Sequence, residues 1–240
     1  MPESPNRRQI IQAGLAAGTG LILLGCQRKG TTWKPMSPDE IEGPPLKPLA
    51  EAHPRSRTLE VSPTSGIVSR REWTISQPNM SLINPMNGVD RITVHHDGMP
   101  PVMLKAKGEV AGRLEQIRRA HVGNHDDGGR NWADIGYHYV IDPQGRVWEG
   151  RSVRFQGAHV KNNNEHNLGI MVLGNFDEQK PTPEALATLD AFLADRMRAY
   201  RISLSSVRTH QEINPTACPG TNLQAYMRMT RSGSGRLARA

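Results

Sequence analysis

The sequence LGIMVLGNF, residues 168–176, is the strongest indication of the fold class. The run is almost continuously apolar and includes the β-branched residues Ile170 and Val172, a pattern typical of a β-strand that is covered on both faces. Helices packed on both sides of a sheet provide that cover. We therefore expect an α/β fold in a single domain, with a central mixed β-sheet flanked by helices.

A second strand is predicted at RITVHH, residues 91–96. Successive side chains of a strand point to opposite faces, so His96 shares a face with the apolar residues Ile92 and Val94. His95 lies on the other face, at the end of the strand. We expect His96 to face the core and His95 to face a cleft.

The remaining elements are predicted from hairpin and helix patterns. Residues 136–151, GYHYVIDPQGRVWEGR, predict a hairpin whose two strands are joined by a Pro-Gln-Gly turn. Apolar residues recur at helical spacing within 108–121, which indicates a helix with one apolar stripe. A longer amphipathic helix begins at Thr182, an N-cap residue followed by proline, and extends to Tyr200.

The first 26 residues have the organisation of an export signal. Basic Arg7 and Arg8 precede an apolar stretch, which ends in LLGC at Cys26. This ending resembles the lipobox of bacterial lipoproteins and predicts that Cys26 is lipidated. The apolar stretch is short for a membrane-spanning helix, which makes a transmembrane anchor the poorer alternative. The arginine pair also resembles a twin-arginine signal, so export by the Tat or the Sec route stays open.

The rest of the chain divides into three segments. Prolines recur without helical or strand periodicity in residues 27–66, which predicts a tether. Residues 67–230 carry the folded domain, and residues 231–240 are expected to form a flexible basic tail. Gln27 follows the predicted lipidation site, as in outer-membrane lipoproteins. We expect an exported, membrane-anchored lipoprotein on the periplasmic side of the outer membrane.

The charge balance is basic, with a formal net charge of +7. Such a balance favours anionic polymers or membrane surfaces, although a solvated cationic surface explains it equally well. The chain contains no nucleic-acid-binding motif, and aromatic residues make up 5% of the sequence. Nucleic acid is therefore not an expected partner.

One loop carries residues that suit metal chemistry. In VRTHQEINPTACPG, residues 207–220, His210 and Cys218 stand eight positions apart among prolines and glycine, which predicts a rigid loop. If Cys26 is lipidated, Cys218 is the one remaining thiol, and an intramolecular disulfide is excluded. Zinc binds His nitrogen and Cys sulfur, and catalytic sites use three protein ligands with one position open. A small buried hydrophobic residue and a nucleophilic thiol beside histidine are the alternatives.

The third ligand has to come from elsewhere in the chain. His95 is the best candidate, because it ends a strand on the face away from the core. His121 and His125 have the i, i+4 spacing of a helical metal pair, but Gly123 lies between them and indicates that the helix has ended. His53 lies in the predicted tether.

Six ordered motifs resemble one known family. They are ITVHHDG, NWADIGYHYVID, GRVWEGR, GAHV, NLGIMVLGNF and THQEINPTACPG, spread between about residues 73 and 223. Their order and approximate spacing are similar to those of the peptidoglycan recognition protein and type 2 N-acetylmuramoyl-L-alanine amidase family. The resemblance implies the fold of that family for the domain.

The resemblance also implies a reaction and its residues. His95, His210 and Cys218 match the family's zinc ligands. Tyr137 and Thr216 are the implied catalytic residues: Tyr137 matches a tyrosine that lines the catalytic zinc, and Thr216 stands two residues before the cysteine, where family members carry Lys or Thr. The implied reaction is hydrolysis of the amide between the lactyl group of N-acetylmuramic acid and the L-alanine of the stem peptide. Peptidoglycan and muropeptides are the implied partners. The family also includes receptors that bind peptidoglycan without cutting it, and these typically lack the zinc cysteine.

Several other polar or aromatic residues have two interpretations. Asp97 is a candidate general base beside the His pair, and His159 either approaches the site or bonds to backbone. For the remaining residues we favour structural roles over substrate contacts: Trp73, Trp132, Asp134, Glu149 and Arg151.

Overall fold

The computed structural model describes residues 66–101 and 103–239. The predicted export signal with Cys26, His53 and the predicted tether up to residue 65 lie outside the described residues. Within the described ranges, every helix is too short or too polar to cross a membrane.

The centre of the sheet is the strand predicted from residues 168–176. This strand, β5 (Asn167–Val172), is buried along its whole length. It lies between β2 (Arg91–His96) and β3 (Tyr139–Ile141), and it runs parallel to both. The near-continuous apolar sequence is therefore explained by burial on both faces.

Three shorter strands complete a mixed sheet. They are β1 (Ile67–Val68), β4 (Val147–Glu149) and β6 (Val207–Thr209). The order across the sheet is β1-β4-β3-β5-β2-β6. β3 and β4 form the predicted antiparallel hairpin, whereas β6 is parallel to β2 and β1 is parallel to β4. The prediction of a central mixed sheet is confirmed.

Helices cover both faces of this sheet. One face packs on α1 (Lys107–Val122), and we name it the α1 side. The other packs on α2 (Pro183–Tyr200) and α3 (Thr221–Thr230), and we name it the α2 side. Each fully buried aliphatic side chain contributes roughly 2 kcal/mol of burial free energy, so the two apolar clusters account for much of the fold's stability.

The predicted starts and faces of the elements are observed. Thr182 caps α2 by accepting a hydrogen bond from the Ala185 N–H at 3.2 Å, and Pro183 occupies the first turn. Ile92 and Val94 of β2 lie in the α2-side cluster, as strand alternation predicts. His95 therefore projects from the α1 side.

The C-terminal end differs from the predicted flexible tail. Arg231 donates to the Glu212 carboxylate at 2.6 and 2.9 Å and to the Val207 carbonyl at 2.7 Å. Leu237 is 2% exposed within the α2-side cluster. The prediction of a flexible tail from residue 231 onward is corrected, because these side chains have partners that only the folded domain provides. The helix α3 was also not predicted.

Candidate metal centre

Two adjacent strand ends bring His95 and His210 together. Val94 of β2 pairs with Thr209 of β6, and the next residue of each chain segment is a histidine. Because the two strands are parallel, both side chains emerge on the α1 side at the same edge. Their ring centroids are 4.8 Å apart, and the residues are 0% and 1% exposed.

The loop after β6 returns Cys218 to the same point. The Gln211 N–H donates to the Cys218 carbonyl at 2.8 Å and closes the loop between His210 and the cysteine. Sγ of Cys218 lies 3.5 Å from Nδ1 of His95. The Cys218–Pro219 peptide bond is cis.

The donor set suits a zinc ion. One ligand atom from each of His95, His210 and Cys218 lies within 4.8 Å of the other two. Nδ1 of His210 is buried and has no hydrogen-bond partner among the described residues, which is costly unless another group binds it. Two imidazole nitrogens and one sulfur are typical zinc ligands, and three protein ligands leave one position open. The structure therefore brings these three side chains together, and their role as zinc ligands stays a prediction.

The ionisation of these groups also suits a metal. Burial lowers the pKa of His95 well below its usual range and that of His210 to about 4, so both rings are neutral at pH 7 and can bind a cation. Burial raises the pKa of Cys218 to about 12, although the backbone N–H of His96 opposes the shift. A nucleophilic cysteine requires the opposite shift. A bound dication would deprotonate this thiol, so the geometry favours a metal ligand over a free nucleophile.

Tyr137 borders the three candidate ligands. Its ring centroid lies 5.2 Å from that of His95, and the residue is 8% exposed. Burial raises the pKa of its hydroxyl, and the nearby Cys218 adds to the shift. The hydroxyl therefore keeps its proton at neutral pH and serves as a hydrogen-bond donor.

Thr216 lies beside Cys218 in the same loop. Its hydroxyl oxygen accepts a hydrogen bond from the Cys218 N–H at 3.2 Å, and the residue is half-buried. This contact stabilises the loop that carries the sulfur. A direct role of Thr216 in catalysis stays a prediction.

Asp97 is engaged in structural bonds. Its carboxylate accepts from Arg113 at 2.9 Å and from the N–H groups of Met99 and Gly174 at 3.2 and 3.3 Å. These bonds tie the end of β2 to α1 and to the end of β5. They leave the carboxylate poorly placed to accept a proton from a reacting water.

The alternative histidine pair does not form a site. Nδ1 of His121 accepts from the Gly136 N–H at 3.1 Å, and its ring packs on Trp132. His125 is exposed in a separate 3-10 turn and contacts the Arg130 carbonyl. The two side chains therefore have different partners.

The residues that were expected to be structural have structural contacts. Arg151 is 3% exposed and donates to the carbonyls of Asp134, Ile135 and Gln156. The indole N–H of Trp73 donates to the Glu149 carbonyl at 2.7 Å. These bonds hold the segments around the hairpin in place.

His159 contacts both His95 and the backbone of β5. Its Nδ1 lies 3.0 Å from Nε2 of His95, and its Nε2 lies 3.1 Å from the Asn167 carbonyl oxygen. Both predicted interpretations are therefore realised, because the ring approaches the site and also bonds to backbone. No pattern in the chain reveals this contact, since His159 belongs to a loop.

This geometry agrees with the comparisons to known proteins. Residues 85–221 match the family described as N-acetylmuramoyl-L-alanine amidase, and the chain belongs to this family. Peptidoglycan-recognition protein SD of Drosophila melanogaster is 30% identical over 163 residues, which make up 67% of this chain and 83% of that protein. The crystal structure of drosophila peptidoglycan recognition protein SD matches with a TM-score of 0.60 and 28% identity, over 68% of this chain and 92% of that one.

Two further solved structures are similar. Peptidoglycan recognition protein LE, in complex with tracheal cytotoxin, a monomeric diaminopimelic acid-type peptidoglycan, has a TM-score of 0.57 and 26% identity over 65% of this chain and 88% of that one. The N-acetylmuramoyl-L-alanine amidase LysC from Clostridium intestinale has a TM-score of 0.51 and 26% identity over 66% of this chain and 91% of that one. The relatives thus include proteins named for recognition and proteins named for hydrolysis.

Proposed function

We propose that the protein is a zinc-dependent N-acetylmuramoyl-L-alanine amidase that cleaves the lactyl amide between muramic acid and the stem-peptide L-alanine. One observation carries the proposal: buried ligand atoms of His95, His210 and Cys218 converge within 4.8 Å, next to Tyr137. A peptidoglycan receptor has no need for a complete metal-binding set of this kind. The relatives crystallised with, or named for, peptidoglycan fragments support this class of substrate.

His95, His210 and Cys218 would hold the zinc. When bound, zinc lowers the pKa of a water molecule to about 7 and polarises a carbonyl group, which allows attack on an amide at neutral pH. The sulfur of Cys218 contributes negative charge that partly offsets the dication. Burial of all three ligands excludes bulk water and strengthens the electrostatic interactions of the site.

Tyr137 would stabilise the charge that develops on the substrate oxygen. Its buried hydroxyl remains protonated, so it donates a hydrogen bond to the oxyanion rather than removing a proton. One such donor contributes about 3 kcal/mol to transition-state stabilisation. Thr216 is proposed as a further substrate contact from the neighbouring loop.

We also propose that the domain acts at a membrane surface. Residues 1–26 contain a basic segment and an apolar stretch that ends in the sequence LLGC. This organisation supports export of the chain and lipidation of Cys26. A proline-rich tether would then give the domain reach toward the cell wall from the periplasmic side of the outer membrane.

Metal dependence tests the proposed function. The purified protein should contain about one zinc per chain and release stem peptides from murein. Chelation should abolish the release, and added zinc should restore it. Protein that remains active after complete metal removal would contradict the proposal and favour the thiol nucleophile. Protein that binds murein with zinc present but releases nothing would favour a receptor.

A further inference from the structure

His159 is a buried side chain that contacts a predicted ligand without belonging to the ligand set. It is 2% exposed, and each of its ring nitrogens lies within hydrogen-bond distance of one partner. Nε2 faces the Asn167 carbonyl oxygen, and Nδ1 faces Nε2 of His95. The contact therefore links the metal centre to the backbone of β5.

The chemistry of the partners fixes the direction of these bonds. A carbonyl oxygen only accepts, so Nε2 of His159 carries the proton and its Nδ1 is an acceptor in the neutral ring. His95 must then donate from its own Nε2–H. In a neutral imidazole the other nitrogen carries a lone pair, so Nδ1 of His95 is left unprotonated. That is the atom 3.5 Å from Sγ of Cys218.

The surroundings hold the His159 ring in one orientation. A Cβ atom at Gly169 would lie 2.6 Å from its Cδ2 atom, and one at Gly157 would overlap the same atom, so two glycines make room for the ring. The side-chain oxygen of Asn164 accepts from the N–H groups of His159 and Val160 at 2.8 and 2.9 Å. The ring is therefore fixed through its own backbone as well as through its nitrogens.

The acceptor of His159 is fixed in the same way. The Asn167 side chain accepts from Thr93 Oγ1 at 2.9 Å and donates to the Asn163 carbonyl at 2.7 Å. Thr93 is on the same strand and the same side of the sheet as His95. The chain of bonds thus begins and ends on β2, which couples the orientation of both histidines to the sheet.

We propose that His159 is a positioning residue that holds His95 as the Nε2–H tautomer and thereby presents its Nδ1 to the metal before the metal binds. Partners of this kind commonly orient ligating histidines and increase metal affinity by roughly 10- to 100-fold. The inference rests on the metal site of the proposed function but not on the reaction or substrate of that site.

The neighbouring His138 provides a matched control. It is equally buried, and its ring centroid lies 5.8 Å from that of His159. Its nitrogens bond to the Gly169 N–H and the Phe155 carbonyl, both backbone groups. Loss of His138 therefore removes a buried histidine without removing a bond to a predicted ligand.

The first test is the tautomer of His95 in metal-free protein, read from long-range ¹H–¹⁵N NMR spectra. The His95 signals are assigned by their loss in His95→Asn. Wild-type protein and His138→Leu should show the Nε2–H form of His95, and His159→Leu should shift it toward the Nδ1–H form. His159→Gln supplies an amide oxygen to His95 and an amide N–H to Asn167, and it should retain the Nε2–H form. An Nδ1–H form in wild-type protein would overturn the proposal.

The second test is zinc affinity, measured by competition with a chromophoric chelator. His159→Leu should bind zinc roughly 10- to 100-fold more weakly than wild type, while His159→Gln and His138→Leu stay within a few-fold of it. Equal affinity in wild type and a folded His159→Leu would overturn the proposal, as would equal losses in the Leu and Gln variants. If wild-type protein binds zinc but is not an amidase, the proposed function fails and these comparisons still decide the role of His159.

Discussion

Nδ1 of His95 lies 3.5 Å from Sγ of Cys218, although 123 positions separate the two residues in the chain. The parallel pairing of β2 and β6 places His95 beside His210, and the loop after β6 returns the sulfur to the same edge. The pairing of β2 with β6, together with the loop that carries Cys218, therefore brings the three candidate ligands together.

Cys218→Ser should remove the metal and leave the fold. Serine is a much poorer zinc ligand than a thiolate, so we expect the variant to lose most of its zinc after dialysis at neutral pH. Metal analysis checks the zinc content. Circular dichroism with and without chelator checks that wild type and variant share one metal-free fold. Full zinc occupancy in Cys218→Ser would exclude Cys218 as a ligand.

Tyr137→Phe should lower turnover with little change in metal content. Loss of one oxyanion donor costs about 3 kcal/mol, so kcat should fall by roughly 10²- to 10³-fold while KM changes little. Phenylalanine preserves the buried ring against His95. Steady-state kinetics on soluble muropeptides measure the effect, and unchanged kcat would exclude the donor role of Tyr137.

The helices and strands in which apolar residues recur at regular spacing could be predicted from the sequence. Alternation in residues 91–96 placed Val94 in the core and His95 on the opposite side, and the N-cap Thr182 marked the start of α2. The central strand was predicted because burial on both faces removes polar residues from it. Local patterns of this kind depend only on nearby residues, which explains why they can be read from one chain.

Contacts between distant segments were not accessible in the same way. His159 sits in a loop, and its bond to His95 depends on two glycines that leave space for the ring. The basic C-terminal residues were predicted to form a flexible tail, because the partner of Arg231, Glu212, lies in the loop after β6 and is not apparent from the local sequence. Both features depend on contacts between segments that are distant in the chain, and the periodicity of the sequence gives no information about such contacts.

The packed C-terminal end leads to a stability prediction. Leu237→Ala should lower the free energy of unfolding by about 2–5 kcal/mol, because the side chain is buried in the α2-side cluster. Met229→Ala is the matched control, since Met229 is 58% exposed and its loss should cost less than about 0.5 kcal/mol. Urea titrations compare the two, and equal small effects would restore the prediction of a flexible tail.

Stability should also depend on pH through His138. Its Nδ1 accepts from the Gly169 N–H, and burial lowers its pKa from 6.5 to about 4. Between these values the unfolded chain binds a proton at His138 that the folded protein does not. The neutral ring therefore makes its full contribution to the free energy of unfolding above pH 6.5, and this contribution is lost as the pH falls toward 4.

His138→Gln isolates this effect. The glutamine does not titrate, so the stability advantage of wild type over the variant should shrink by up to about 1.4 kcal/mol per pH unit within that window. Urea unfolding of metal-free protein at pH 7.5, 6 and 5 provides the comparison. Parallel pH profiles for the two proteins would show that His138 does not contribute.

Mass spectrometry of muropeptides incubated with the zinc-loaded protein is the decisive test of lactyl-amide hydrolysis. We expect paired products, a glycan with a free lactyl carboxylate and a stem peptide with a new L-alanine amino terminus. His95→Ala and Cys218→Ser should give neither product. Intact muropeptides recovered in complex with zinc-loaded wild-type protein, or cleavage at any other bond, would contradict the proposed amidase activity.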